Sequence, residues 1–549
     1  MKRAHRLMAE KRYGDAGMTA MRVVYMDPQN IEATQMVVKL LESAGENTAL
    51  VWRQRLLELQ PEVLENRVAL AELALKMNDS KAANAALIGA GEAAAQRADF
   101  QHLSGRVAAA RKDALAAEMH YQRAVELEPQ NEIYQLDLAI HRLQSSDITA
   151  RVAAQKDVEK LAVNPAMRRQ ALQALFQEAS RQRDLSRAVS FAAAIAELPG
   201  ATFQDRLPHL ATLRRLHHPD FEPTLQKAQT EAMKNPDDLR MLLDWMNGAG
   251  MADRTLAWNQ TLPAEIMSTL PVPIAVAHAH LLSRNWAELK VMVDDAPPAP
   301  VKNWGRSEFL RHAFLSRVAR EQGDPEKSAE DWKNAVRATH YRSDDLRALA
   351  QTAAEWRWMD EATSVLWTAV DEAEQPEWAL DQLQRYYRAS GSTRQLLRVA
   401  SKVLERKPND PTARNNVAAL SLLIDFNAGD ALKVGAELYK AYPSNRDFIT
   451  TYAFALHHQG QTNQGLDLCR SLDATSLAQP AYAAYFGVLL AAAGQREEAR
   501  KYLTIARTAP PLPNPDALLP EEAALVEQAF AHLEEPAQNP LRPARPSVP

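Results

Sequence analysis

Residues 480–513 read PAYAAYFGVLLAAAGQREEARKYLTIARTAPPLP, and the chain returns to this skeleton about every 34 residues, a period that marks stacked supersecondary units. With Pro480 as position 1, Phe486 and Gly487 fall at 7 and 8, Leu490 at 11 and Gly494 at 15. Ala499 follows at 20, Leu503 at 24, Ala506 at 27 and Pro511 at 32. Positions 4, 7, 8 and 11 share one stripe of a first helix, and 20, 24 and 27 share one of a second. Small residues at 8, 20 and 27 let the two helices approach closely. A glycine inside a helix is disfavoured against alanine by about 1 kcal/mol, so Gly487 needs a packing reason. Gly494 sits where the chain turns between helices, and the proline at 32 stops the second.

The same grid fits elsewhere without adjustment. From Phe309 it places Ser316, Gly323, Ser328, Trp332 and Ala335; from Ser343, Leu349, Ala350, Ala362, Leu366 and Ala369. From Glu377 it places Leu383, Tyr387, Gly391, Ala400 and Pro408. A unit from Pro411 carries one extra residue in its turn, and one from Arg446 places Ala453, Leu456, Gly460 and Cys469. Earlier units begin at Asn30, Leu64, Ala98 and Glu132. Between 166 and 308 the spacing drifts, with units near Gln170, Asp205, Leu239 and Ala275 and breakers such as Pro199, Pro236 and Pro273. Asp294–Pro300 (DDAPPAP) reads as a linker. The organisation expected is therefore an amino-terminal array over 1–308, irregular from about 166, and a regular array over 309–513. A capping helix over 519–534 and a proline-rich, disordered tail over 535–549 complete it.

This skeleton resembles the tetratricopeptide repeat family over roughly residues 1–510. That family's pattern is Leu–Gly/Ala at 7–8, Tyr at 11, Gly near 15, Ala at 20, an aromatic at 24, Ala at 27 and Pro at 32. Its tryptophan at 4 and tyrosine at 11 are mostly replaced here. The resemblance implies an all-α fold, a right-handed superhelical α-solenoid of stacked helix-turn-helix repeats. Residues 5–28 fit positions 9–32 of a unit whose first half is missing, so a preceding segment is expected, or a different start.

Composition agrees with helices: 46% of the 549 residues are hydrophobic, 24% are charged, and only 18 are glycine. A net charge of −5 is unlike the basic stripe of a dedicated nucleic-acid binder. One cysteine, Cys469, permits no intrachain disulfide and no cysteine metal site, and its position 24 makes it a packing residue. No stretch approaches about 18 uninterrupted apolar residues, and no apolar core of a secretory signal follows Met1.

No phosphate loop or HExxH motif is present. Gly89–Gly91 and Gly248–Gly250 read as turns at helix ends. The pairs His217–His218 and His457–His458 diverge by about 100° on a helix and cannot chelate one ion unaided. Acidic groups at Asp294–Asp295 and at Asp371, Glu372 and Glu374 read as solvated charge. No catalytic site, metal or cofactor is called for, and no span is left for a catalytic domain.

In the family that the repeats resemble, the first helix of each pair (helix A) lines the groove, at positions 2, 5, 6, 9, 12 and 13. Transferred to this chain, those positions give Arg317 and Arg320, Arg347, then Arg385 and Arg388. Asn416 follows, then Thr450, Thr451, Phe454, His457 and His458. Such an arginine array suits an acidic or carboxy-terminal peptide, although Glu321, Asp344, Glu355 and Asp381 fall on the same grid. The lysines and asparagines of the family's carboxylate clamp are not found. The function expected is a non-enzymatic scaffold binding proteins or peptides, cytoplasmic as the sequence stands. A membrane-anchored envelope assembly factor, with its anchor upstream of Met1, is the alternative. An RNA-binding helical repeat has a similar period, but the alanine at 20, the proline at 32 and the acidic charge point away from it.

Overall fold

A computed structural model describes residues 1–46, 48–294, 301, 304–373, 376–424 and 428–534, with backbone only at Met267 and Ala428. Most of the expected linker (295–300), Glu374 and the expected tail at 535–549 lie outside the described residues. Among the described residues there are 34 α-helices and no strand.

Helices begin where the small-residue grid put them. Ser343–Glu355, Glu377–Ala389, Pro411–Leu423, Arg446–His458 and Pro480–Ala492 each start at position 1. The starts are capped. Asp410 accepts from the Ala413 backbone N–H at 2.9 Å and Asn445 from that of Asp447 at 3.0 Å. The second helices (helix B) use the same device, with Asp113 accepting from Ala116 at 3.1 Å and Asp324 from Lys327 at 2.9 Å. Each such cap is worth about 1 kcal/mol.

The turn at position 15 is left-handed whether or not the residue is glycine. Gly323 and Gly494 have φ of 81° and 77°, and Asn78, Lys112 and Arg357 hold 59°, 61° and 62° at the equivalent place. The conformation belongs to the repeat, and side chains adapt to it.

Small residues do the work expected of them in packing. Ala83, Ala117, Ala362 and Ala499, all at position 20, have no exposed surface. Where position 8 is Ser316 and position 20 is Ser328, the Ser316 hydroxyl donates to the Ser328 carbonyl at 2.8 Å. Leu503 at position 24 is fully buried, and burying a leucine stabilises by about 1.5–3 kcal/mol. Cys469 is 1% exposed, and burial pushes its thiol up to about 12.

Helix pairs continue through the irregular middle. Pro165–Arg181 pairs with Leu185–Ala196, Leu207–Arg215 with Phe221–Ala232, and Pro236–Gly248 with Ala252–Asn259. Pro165 and Pro236 occupy the first turn of a helix, where the missing N–H has no partner to lose. Pro236, read in the sequence as a breaker, therefore starts a helix, and Pro273 lies in the first turn of Val272–Leu282. Three B helices (Ser80–Leu87, Ala252–Asn259 and Thr462–Cys469) stop after eight residues and are each followed by a four-residue helix. In the first of these, Gly89 and Gly91, both at φ 81°, break the helix.

The chain divides into two compact units, Met1–Ala279 and His280–Pro549. Each is an all-α repeat solenoid of these pairs. The last helix, Pro520–Glu534, packs on Pro480–Ala492 and Arg496–Ala506 and sends Val526, Ala529 and Leu533 into their core.

Candidate functional site

The A helices of four consecutive repeats, Glu377–Ala389, Pro411–Leu423, Arg446–His458 and Pro480–Ala492, turn one row of side chains toward a shared cavity of about 430 Å³. Arg388, Asn415, Asn416, Thr451, Phe454, Tyr482 and Tyr485 line it. A second cavity of about 300 Å³ shares Arg388, Asn416 and Tyr485 and is walled by Leu396, Val399, Val403 and Leu420. One region is polar and aromatic; the other is largely apolar.

Phe454 forms the aromatic floor, meeting Tyr485 edge-on with ring centroids 5.0 Å apart and His458 at 4.8 Å. His457 is buried beside it, its Nδ1 within 3.0 Å of the Thr462 hydroxyl. Burial, assisted by His458, pushes His457 down to about 4, so it stays neutral near pH 7. Tyr482 donates to Asp447, and burial and then that carboxylate raise its phenol. Asn415 is only 5% exposed, and its Oδ1 has no hydrogen-bond partner among the described residues.

The chain's own carboxyl-terminal segment borders the site. Arg388 donates to the Ala517 carbonyl at 2.7 Å, and the Tyr485 hydroxyl donates to Glu522 Oε1 at 2.8 Å. Burial and the Glu522 carboxylate push the Tyr485 phenol well above its ordinary value, which keeps it a donor. The other Glu522 oxygen accepts from the Leu519 backbone N–H at 2.7 Å, as in the returning half of a capping box. Thr393 donates to Glu521.

Of the residues singled out in the sequence, Arg388, Asn416, Thr450, Thr451 and Phe454 meet at this cavity. Arg385 is exposed, away from its lining, and donates to Gln382 at 3.2 Å. Arg317, Arg320 and Arg347 engage tryptophans instead. The Arg317 guanidinium carbon lies 5.2 Å from the Trp358 ring, 5.8 Å from Trp356 and 5.9 Å from Trp286, and the side chain pairs with Glu321 at 2.8 Å. Burial in that aromatic surround lowers the Arg317 pKa. Arg320 stacks on Trp358 at 3.6 Å and pairs with Glu361. Arg347 lies 4.7 Å from Trp378, whose indole N–H donates to Ser343 at 2.7 Å.

Tyr482, Tyr485, Asn415, Leu519 and Glu522 were not anticipated. Tyr485 and Asn415 were within reach of the grid, at groove position 6 of the 480 unit and position 5 of the 411 unit, and Tyr482, at position 3, adjoins groove position 2. The amino-terminal unit holds a further polar network that the sequence reading did not single out. His102 Nε2 lies 2.6 Å from Asp137, which accepts from Gln170 at 2.6 Å, across three successive A helices.

No protein-family model matches the chain, and no curated protein does. Solved structures similar to it include "MamA RS-1 ArsTM double mutant", at 18% identity over 29% of this chain and 90% of that one, with a TM-score of 0.26. The APC/C hetero-tetramer Cut9–Hcn1 is similar at 13% identity over 82% and 95%, with a TM-score of 0.26. Naa15/Naa10 bound to HypK-THB is similar at 15% identity over 95% and 74%, with a TM-score of 0.24. At these scores the description of the fold rests on the helices and their packing. Among the described residues no helix is long and apolar enough to cross a membrane.

Proposed function

We propose that the chain is a non-enzymatic protein-interaction scaffold that holds a segment of a partner protein along the A-helix face of its carboxyl-terminal unit. One observation carries the reading: side chains from the A helices of four consecutive repeats converge on a single cavity. Phe454 and Tyr485 offer an aromatic floor for an apolar anchor, and Arg388, Asn415 and Asn416 offer polar groups to a peptide backbone. Affinity then comes from several modest contacts around one or two aromatic anchors.

Crosslinking with mass spectrometry on native lysate tests this. Partner crosslinks should concentrate on the helices between residues 377 and 492. The variant Asn416→Arg, at an exposed position on the cavity rim, should reduce partner recovery at least tenfold while leaving the thermal melt unchanged. Undiminished recovery, or crosslinks confined to B helices, would exclude the reading.

A further inference from the structure

We infer that Leu512–Glu522 is a built-in occupant of this face, and that the same face accepts in trans a partner segment of matching chemistry. That segment is turn-forming and leucine-bearing, and it enters a helix whose first turn carries two carboxylates. The inference rests on the scaffold reading and adds the ligand chemistry to it.

The internal segment supplies the template. Arg388 grips it through backbone carbonyl oxygen, at Ala517, where the Ala517 N–H closes a turn on the Asn514 carbonyl, so that contact asks for a turn that presents its carbonyl and not for a particular side chain. Leu519 is 2% exposed and closes one side of the apolar cavity. The next residues start a helix at Pro520, and both carboxylates of its first turn are held: Glu521 by Thr393 and Glu522 by Tyr485. Backbone, leucine and paired carboxylates are thus each met by a separate element of the repeats.

Gly391 shows how closely the segment is accommodated. A Cβ there would stand 2.8 Å from Leu512 and 2.9 Å from Pro520. Its φ of 67° favours glycine without requiring it, because Lys112 and Arg357 adopt nearly the same φ at equivalent turns. The crossing segment is the further reason peculiar to this turn.

Two observations make the segment a replaceable occupant. Val526, Ala529 and Leu533 anchor the body of the following helix in the core, so residues 512–519 can lift while that helix stays docked. The face also extends beyond what the segment covers. The 430 Å³ cavity is also lined by Asn415, whose Oδ1, in a 5% exposed side chain, lacks a donor among the described residues. A backbone N–H of a longer ligand supplies one.

The test uses the full chain. Gly391→Asn wedges the segment away, and Gly460→Asn imposes the same left-handed strain at φ 77° where nothing lies within 4 Å. Hydrogen exchange across 511–522 should quicken at least tenfold in Gly391→Asn and stay unchanged in Gly460→Asn. A fluorescein-labelled peptide of sequence LPNPDALLPEEAA should bind Leu512→Asp, a second opening variant that leaves Gly391 in place for the peptide's own leucine and proline, at least tenfold more tightly than either the unsubstituted chain or Gly460→Asn. Replacing both peptide glutamates with glutamine should remove most of that gain. Gly391→Asn itself should gain no peptide affinity, because the Cβ that displaces the segment stands where the peptide's leucine and proline would lie. Protection unchanged in both opening variants, peptide bound no more tightly by Leu512→Asp, or binding indifferent to the glutamates each overturns the inference. Partner crosslinks that persist on the A helices in that event leave the scaffold reading standing.

Discussion

Gly487 is pressed against Leu503 so closely that a Cβ at 487 would stand 2.8 Å from the leucine Cγ and 3.0 Å from its backbone nitrogen. Gly487→Ala gains helix propensity but must move a backbone atom, and overpacking of that kind costs about 1–3 kcal/mol. Gly17, inside helix Tyr13–Met26, meets only Leu40 at an ordinary 3.5 Å. Urea denaturation should therefore show Gly487→Ala destabilised and Gly17→Ala stabilised by about 0.5–1 kcal/mol.

His457 gives a pH dependence of known sign. Its folded value, about 4, lies below the ordinary 6.5, so between those values the unfolded chain binds a proton that the folded chain does not. Stability contributed by neutral His457 is fully present above pH 6.5 and is lost as pH falls toward 4, by up to about 3 kcal/mol. Denaturant midpoints of His457→Gln should fall less over that window than those of the unsubstituted chain. Equal slopes would show that His457 titrates normally.

Two arginines on the same helical grid should behave differently. Arg320 stacks on Trp358 and pairs with Glu361, so Arg320→Ala should lose about 1 kcal/mol in thermal or urea unfolding. Arg385 is exposed and bonds to Gln382 on its own helix, so Arg385→Ala should stay within about 0.5 kcal/mol of the parent. A reversed order would mean that the tryptophan contact contributes nothing.

Cys469 should be silent until the chain opens. With 1% exposure and a thiol pushed up to about 12, it should not react with a disulfide reagent at mildly alkaline pH. The same reagent should titrate one thiol per chain in denaturant. Rapid native labelling would contradict the packing of the 462–469 helix.

The fold was legible because its determinants are local and recur. Gly487, Ala499 and Ala506 announce a close helix pair wherever they repeat, and the A-helix starts at 343, 377, 411, 446 and 480 followed from them. The site was legible only in part. Arg388, Asn416, Thr451 and Phe454 lie on adjacent repeats, so one positional rule finds them together. The same rule could not tell that Arg320 and Arg347 turn to Trp358 and Trp378, because side-chain choice at an edge depends on the neighbouring turn. Nor could it join Arg388 to Ala517, whose separation along the chain leaves no periodic trace.

Lys11, Lys112, Arg183, Arg284 and Arg357 all hold left-handed backbone at φ between 56° and 62°. Each such residue is disfavoured by about 1–2 kcal/mol relative to a right-handed one, so several turns of the array are strained. A helix pair standing alone has no neighbouring interface to offset that strain, whereas a pair inside the stack has two. The turns thus bind the repeats into a cooperative whole: melting should spread from pair to pair, and short excised fragments should fall below the length at which the helices hold.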